Sequence, residues 1–236
     1  SSLTISGTST ACALPGDFTV EFFLNNTVTT AYGILWSTTA SVDTTDGLRI
    51  TTGNSNSLLQ VGTALTALIN SSTAFSNNTW VHIALVRSGT TLTLYQNGVS
   101  VGSVTNSQSF VSDTFSIGNA TGTGSPYYLN GYISNLRVVK GTAVYTSAFT
   151  PPTTPLTAIS GTSLLTCQSN RFLDNSTNAF ALTINGTPSV QAFSPFVPAY
   201  ITPTTYSNYF SGSSAYLQAR SEEHTSELQS RETISY

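Results

Sequence analysis

The stretch 80–103, WVHIALVRSGTTLTLYQNGVSVGS, constrains the fold more than any other part of the chain. Residues 80–86 would alternate between two faces of a strand, and both faces carry mainly apolar side chains. Such a strand predicts a covering layer on each side. A turn at 88–90 leads to a return strand at 92–96, and Asn97-Gly98 is a strong two-residue hairpin signal. The stretch therefore predicts an antiparallel hairpin in the middle of a sheet.

Short apolar runs separated by turn residues fill the rest of the chain. They occupy residues 1–5, 18–24, 32–37, 48–52, 58–61, 110–117, 127–139, 163–168 and 179–184. The run ALTALI at 64–69 has a helical composition, but its short length and Ser/Thr flanks favour a strand or an irregular edge. Strands of this length at this spacing predict an all-β fold, an antiparallel β-sandwich.

The composition excludes several classes of function. Charged residues make up 7% of the chain and the formal net charge is −3, so there is no basic patch for nucleic acid. No apolar run approaches the roughly 18 residues that a membrane-spanning helix needs, so we expect no membrane insertion. The hydrophobic content of 39% is too high for disorder.

The two cysteines allow at most one intramolecular bridge. Cys12 and Cys167 could form a disulfide or remain as buried thiols, and both alternatives are open at this point. Two cysteines do not make a disulfide framework of the kind that holds small secreted domains together.

The last 17 residues, 220–236, differ abruptly from the rest. They hold four of the ten acidic and two of the seven basic residues. The run RSEEHTSELQS resembles the in-frame translation of a sequencing-library adapter, so we expect 220–236 to be a non-native scar. The alternative is an amphipathic acidic tail. We expect the natural chain to continue past residue 219.

Five segments carry a family resemblance: DFTVEFF, NTWVHIALVR, LTLYQNG, FSIGN and LNGYISNLRVVKGTAVY. They occur in the order seen in laminin-G-like domains, and residues 1–157 resemble this branch of the concanavalin A-like lectin/glucanase jelly rolls. The form GYISNLRVVKGTAVY…FTPP is similar to the version in structural proteins of tailed bacteriophages, many known from metagenomic sequence. The chain departs from the pattern at Phe23, where many relatives carry tryptophan.

Residues 158–219 resemble the opening strands of a second repeat in a tandem array. Residues 213–217 (SSAYL) weakly parallel residues 1–5 (SSLTI), and a proline-punctuated connector at 149–155 precedes the region. Our hypothesis is that 164–184 supplies strands that a truncated first repeat lacks, and so completes the first sandwich. It predicts that 164–168 pairs with strands of the first 150 residues.

Catalytic residues are scarce. A glycosidase of this family would need two facing carboxylates, yet outside 220–236 the only glutamate is Glu21, and Asp17 lies at a strand boundary. We therefore expect Glu21 to make a structural hydrogen bond or ion pair. His82 has no second histidine outside 220–236, so a metal cluster or a Ser/His/Asp triad is not indicated, and His82 and Trp80 are expected in the core.

Sugar sites generally combine an aromatic platform with amides and hydroxyls. The candidate ligand-binding residues flank predicted loops; they are Tyr32, Trp36, Asn119, Tyr127 and Tyr128. The resemblance also implies a candidate calcium site at the rim, with Asp43, Asp46 and Asp113 as metal ligands and Asn119 beside them. The alternatives are packing for the aromatic residues and turn capping for the others, because no dense acidic loop exists.

From the resemblance we expect a non-catalytic module that recognises carbohydrate or a receptor on a phage structural or tail-associated protein. Its partners would be a cell-surface glycan or other virion proteins, and its location the virion or the extracellular space. The alternatives are a structural decoration or spacer domain without a ligand, and a glycan-degrading enzyme. An exposed aromatic and amide patch near 118–128 would favour binding.

Overall fold

The computed structural model describes residues 1–6, 13–28, 32–38, 47–53, 57–63, 66–110, 114–119, 127–196 and 207–211. The strands in chain order are β1 (Ser2–Ser6), β2 (Phe18–Asn26), β3 (Ile34–Ser37), β4 (Arg49–Thr52), β5 (Leu59–Gly62), β6 (Ala67–Asn70), β7 (Val81–Ser88), β8 (Thr91–Gln96), β9 (Val99–Thr105), β10 (Thr114–Ile117), β11 (Asn130–Lys140), β12 (Thr162–Thr166), β13 (Leu182–Asn185), β14 (Ser189–Gln191) and β15 (Ser207–Ser211). No helix of the described residues has the length and apolar character to cross a membrane. The segment 220–236 lies outside the described residues.

The strands form two antiparallel sheets. Sheet 1 has the order β13-β1-β10-β3-β4-β5-β6, and sheet 2 the order β14-β15-β11-β2-β7-β8-β9. β15 pairs with the first part of β11, and β12 pairs with the later part of the same edge. The prediction of an all-β antiparallel sandwich is confirmed, and the run at 64–69 ends in strand β6.

The core lies between the two sheets and follows from alternation along each strand. Sheet 2 contributes Val81, Ile83 and Leu85 from β7, and sheet 1 contributes Trp36 and Phe115, among other residues. Each fully buried side chain of this size contributes about 1.5–3 kcal/mol through removal from water. The central strands β2 and β7 are also buried on their other face, as the apolar character of residues 80–86 predicted.

The hairpin at the end of β8 has the predicted turn. Asn97 and Gly98 both adopt left-handed backbone conformations, with φ of 49° and 77°. A type I′ turn requires positive φ at both central positions, which Asn and Gly tolerate best. Asn97 reinforces the turn because its Oδ1 accepts a hydrogen bond from the His82 amide at 2.9 Å.

Residues 141–157, which we call the strap, cross the outer face of sheet 2 without forming a helix or strand. The Thr19 hydroxyl donates to the Thr142 carbonyl and accepts from the Val144 amide at 2.9 Å. The Phe149 amide donates to the Gly98 carbonyl at 3.0 Å. Apolar contacts complete the attachment; they join Ala84, Val86 and Tyr95 to Ala143, Tyr145 and Phe149.

Residues beyond the strap share the sandwich. β12 pairs with β11, β13 pairs with β1, and Leu164 is fully buried in the core. These are the pairings that the repeat hypothesis requires, whereas the existence of a second repeat stays a prediction. The Cys167 thiol is buried in the same core, and Cys12 lies outside the described residues.

Candidate functional site

Glu21 is the centre of a buried polar cluster beneath the strap. The side chain is fully buried, and its Oε1 accepts from Nε and Nη2 of Arg137 at 3.0 and 2.6 Å. Its Oε2 lies 3.2 Å from His82 Nε2 and accepts from the Tyr145 hydroxyl at 2.8 Å. Both oxygens are therefore engaged, and the expected structural role of Glu21 is confirmed.

The cluster sets the ionisation of Glu21 and Tyr145. Burial opposes ionisation of Glu21, but the hydrogen bond from His82 and the charge of Arg137 outweigh it, so the pKa of Glu21 is lowered. Burial, followed by the negative charge of Glu21, raises the pKa of Tyr145. Tyr145 therefore stays a neutral donor to an ionised carboxylate, which is a strong type of hydrogen bond.

His82 and Trp80 were both expected in the core, and their outcomes differ. His82 is 1% exposed and packs edge-on against Phe23 and Phe149, so the prediction is confirmed. Trp80 is only partly buried, and its ring lies against Tyr132 and Phe193 instead of inside the sandwich. The prediction for Trp80 was wrong because residue 80 precedes β7 at a position where Tyr132 and the exposed Phe193 cover its ring only in part.

Two of the predicted ligand residues meet at the end of sheet 1. The rings of Tyr32 and Tyr127 are half-buried and contact edge to face, with centroids 5.0 Å apart. The Tyr32 hydroxyl donates to Gln60 Oε1 at 3.2 Å. Gln60 Nε2 in turn donates to Asn70 Oδ1 at 2.9 Å. We call Tyr32, Tyr127, Gln60 and Asn70 the tyrosine patch.

Sequence reasoning missed both amides of the tyrosine patch. Gln60 and Asn70 are paired across β5 and β6, and they alternate with the core residues Val61 and Ile69. The alternation of core and outer side chains along β5 and β6 is the sequence signal that could have predicted these amides on the outer face of sheet 1. The pairing of Tyr32 with Tyr127 depends on the fold, because these residues are far apart in the sequence.

Trp36 does not belong to the patch. Its side chain is fully buried and packs on Phe115 in the core, so no ring face is available to a ligand. Trp36 flanks a predicted loop, but its position in β3 directs it between the sheets, where it pairs with Ile50 and Ile117. Trp36 is therefore removed from the candidate ligand residues.

Asn119 and Tyr128 lie on either side of the segment 120–126, which is outside the described residues. Asn119 is 3% exposed; its backbone carbonyl accepts from the Ser116 hydroxyl, and its Oδ1 finds no hydrogen-bond partner within the described chain. Tyr128 is half-buried and follows Tyr127 directly.

The donor set for a calcium ion is incomplete within the described chain. Asp43, Asp46 and Asp113 lie outside it, and no group of three or more His, Cys, Asp or Glu side chains there could hold a metal. The buried Oδ1 of Asn119 is a suitable oxygen donor, but calcium takes six to eight oxygens. Asn119 is thus one oxygen donor within the described residues, and the calcium site stays a prediction.

A family comparison agrees with this architecture. Residues 2–147 match a laminin-G model described as the concanavalin A-like lectin/glucanases superfamily. The chain belongs to this superfamily. The match covers more than half of the chain, and in this concanavalin A-like sandwich it spans β1 to β11 together with the first part of the strap. No curated protein sequence matches the chain.

Solved structures share the fold at low sequence identity. A proposed carbohydrate-binding protein of Bacteroides ovatus is 15% identical with a TM-score of 0.55, and the match covers 77% of this chain and 56% of that one. This concanavalin A-like chain thus spans little more than half the length of that relative. A heptameric SAP-like pentraxin of Limulus polyphemus is 18% identical, with a TM-score of 0.42 and coverage of 58% and 68%. The CBM40 of a Ruminococcus gnavus IT-sialidase, bound to α2,3-sialyllactose, is 15% identical, with a TM-score of 0.49 and coverage of 62% and 89%.

Proposed function

We propose that this chain is a non-catalytic carbohydrate-recognition module of a phage structural or tail-associated protein. Its ligand would be a cell-surface glycan, and its location the virion or the extracellular space. The likeness to a proposed carbohydrate-binding protein and the sequence resemblance to phage domains both support this proposal. Other virion proteins would be its neighbours.

The observation that carries the proposal is the tyrosine patch. Tyr32 and Tyr127 supply two ring surfaces that hold each other at a fixed angle. Gln60 and Asn70 supply amide donors and acceptors next to the rings, and the hydrogen bond from Tyr32 to Gln60 fixes their relative positions. Rings for the apolar face of a sugar and amides for its hydroxyls are the usual components of such a site.

The mechanism would be shallow binding without chemistry. The patch carries no ionisable carboxylate, and Glu21 is enclosed with both oxygens engaged, so it cannot approach a glycosidic bond as acid, base or nucleophile. A shallow site gives low affinity for one sugar. Repetition of the module along a virion would raise the overall avidity through a high effective concentration.

The test is a glycan-array screen of the full chain with and without added calcium, performed for the wild type and for a Tyr32→Ala/Tyr127→Ala variant. The proposal predicts that the wild type binds a defined set of glycans and that the double variant loses them. A Phe193→Ala variant is a control, because Phe193 is an aromatic residue that follows β14, is 43% exposed, and is not part of the patch.

Two results would contradict the proposal. Equal binding by the wild type and the double variant would remove the tyrosine patch from recognition. The absence of binding to any glycan, with or without calcium, would favour a decoration or spacer domain without a ligand.

A further inference from the structure

A second candidate site, which is concave, lies on sheet 2, between β7, β8 and the strap. It is an open pocket of about 250 Å³, which we call the strap pocket. The lining residues are Val86, Ser88, Thr91, Thr93, Tyr95, Tyr145 and Thr146. The pocket is several times larger than the roughly 30 Å³ share of one water, and slightly smaller than the ~300 Å³ at which drug-sized pockets begin. It therefore has room for one ring-sized ligand.

One wall of the strap pocket is a rigid aromatic ring. The Tyr145 ring stacks on Phe149 in parallel, with centroids 3.6 Å apart and an interplanar angle of 5°. Its hydroxyl is fixed to Glu21 Oε2 at 2.8 Å. Tyr145 lines the pocket and Phe149 does not, so the ring that a ligand would meet is that of Tyr145. A ring held at both its face and its hydroxyl loses little freedom when a ligand packs against it.

The strap itself is held in place by backbone contacts beneath this wall. A side chain at Gly98 would overlap the Phe149 carbonyl oxygen, so the strap lies directly on the hairpin turn. The Thr19 hydroxyl bonds both Thr142 and Val144. The pocket is thus formed before any ligand binds.

The remaining lining selects the chemical class of the ligand. Ser88, Thr91, Thr93 and Thr146 contribute hydroxyl-bearing side chains to the lining. No lining residue carries a charge, so an ionic ligand would lose its hydration without gaining a counter-charge. A hydrophobic partner would fit poorly, because Val86 is the only aliphatic side chain among the lining residues.

We propose that the strap pocket binds one neutral sugar residue, with its ring against Tyr145 and its hydroxyls on the Ser and Thr side chains. The site is separate from the tyrosine patch, which lies on the other sheet. The module would then contact a glycan on both sheets. Binding at the strap pocket does not require the tyrosine patch, so each proposal can fail alone.

The test is a ¹H–¹⁵N NMR titration of the full chain with the methyl glycosides of glucose, galactose, mannose and N-acetylglucosamine. We expect saturable shifts of amides at 86–95 and 145–146 with at least one glycoside. Thr91 is exposed, and a Thr91→Trp variant should fill the pocket and abolish these shifts. Thr93→Val, which keeps the side-chain volume and removes one hydroxyl, should weaken binding about fivefold.

Two controls separate this site from the rest of the protein. A Thr183→Trp variant places the same ring on an exposed position of sheet 1 and should keep the shifts. Tyr32→Ala should also keep them, even where it abolishes glycan-array binding. The proposal is overturned if none of the four glycosides shifts these amides, or if the shifts persist in Thr91→Trp. Equal shifts with N-acetylneuraminic acid would contradict selection for a neutral sugar.

Discussion

The outer faces of the two sheets differ in what covers them and in what their polar groups do. On sheet 2 the strap covers Glu21, Arg137 and His82, and each of them is at most 5% exposed. On sheet 1 the amides of Gln60 and Asn70 reach the surface beside tyrosine rings. The polar groups are therefore charged where the strap closes over sheet 2, and they are uncharged amides and phenols on the outer face of sheet 1.

The conspicuous polar cluster around Glu21 has a structural role, because its groups are bonded to one another beneath the strap. Charged groups under the strap have lost their hydration, and they are tolerated only because every strong acceptor of Glu21 is paired. Such a cluster adds little net stability compared with apolar packing, but it is costly to break. Tyr32 and Tyr127 are only half-buried, so part of each ring is open to the binding that we propose for the tyrosine patch.

The largest expected effect follows from breaking the charge pair on sheet 2. Arg137→Ala leaves Glu21 buried with its main cationic partner removed, and this should lower the free energy of unfolding by about 3–5 kcal/mol. Chemical denaturation measures this loss. Arg171→Ala, at an exposed position, is the control and should change stability by at most about 0.5 kcal/mol. A loss for Arg137→Ala as small as that of the control would show that the cluster is not coupled to the fold.

The second effect concerns the contact between the strap and the hairpin turn at Gly98. Gly98 and Gly89 both have left-handed backbones, with φ of 77° and 59°, but a Cβ meets the Phe149 carbonyl at Gly98 and nothing within 4 Å at Gly89. Alanine costs about 1–2 kcal/mol at either site through the backbone. Gly98→Ala should lose about 1–3 kcal/mol more, because it overpacks the strap. Equal losses of stability in Gly98→Ala and Gly89→Ala, measured by thermal or chemical denaturation, would show that the strap does not lie on the turn.

A smaller effect concerns the dependence of folding stability on pH. The pKa of Glu21 is lower in the folded than in the unfolded chain, so its ionisation stabilises the fold above its ordinary pKa. This contribution is lost as the pH falls through the folded pKa. Chemical denaturation at pH values from about 6 to about 3 measures this effect. The free energy of unfolding should fall more steeply for the wild type than for Glu21→Gln/Arg137→Met, which lacks the carboxylate. A steeper fall in the free energy of unfolding for the double variant would contradict a lowered pKa of Glu21 in the folded protein.

Much of the fold could be predicted because local patterns specify it. Asn97-Gly98 permits one hairpin turn, and the alternation in β2 and β7 separates core from outer residues. The structural role of Glu21 followed from the lack of a second glutamate outside 220–236. Its partners could not be predicted, because Arg137 and Tyr145 are more than 110 residues away in the sequence.

The candidate site was harder to predict because exposure depends on neighbouring elements. Tyr32 and Trp36 both flank predicted loops, yet Tyr32 reaches the surface while Trp36 is fully buried. Trp80 precedes an apolar strand, yet its ring is only partly buried, beside Phe193. Sequence spacing gives the face of a strand, but it does not say whether a distant segment such as the strap covers that face.

The most direct test of the account measures glycan affinity and stability together in one variant of each sheet. Tyr32→Ala should weaken binding to an array-selected glycan about tenfold, or ~1.4 kcal/mol, with stability nearly unchanged. Thr19→Val, which loses both strap hydrogen bonds of the Thr19 hydroxyl, should lose about 1–3 kcal/mol of stability and keep its affinity at the tyrosine patch. Wild-type affinity in a folded Tyr32→Ala would contradict the account.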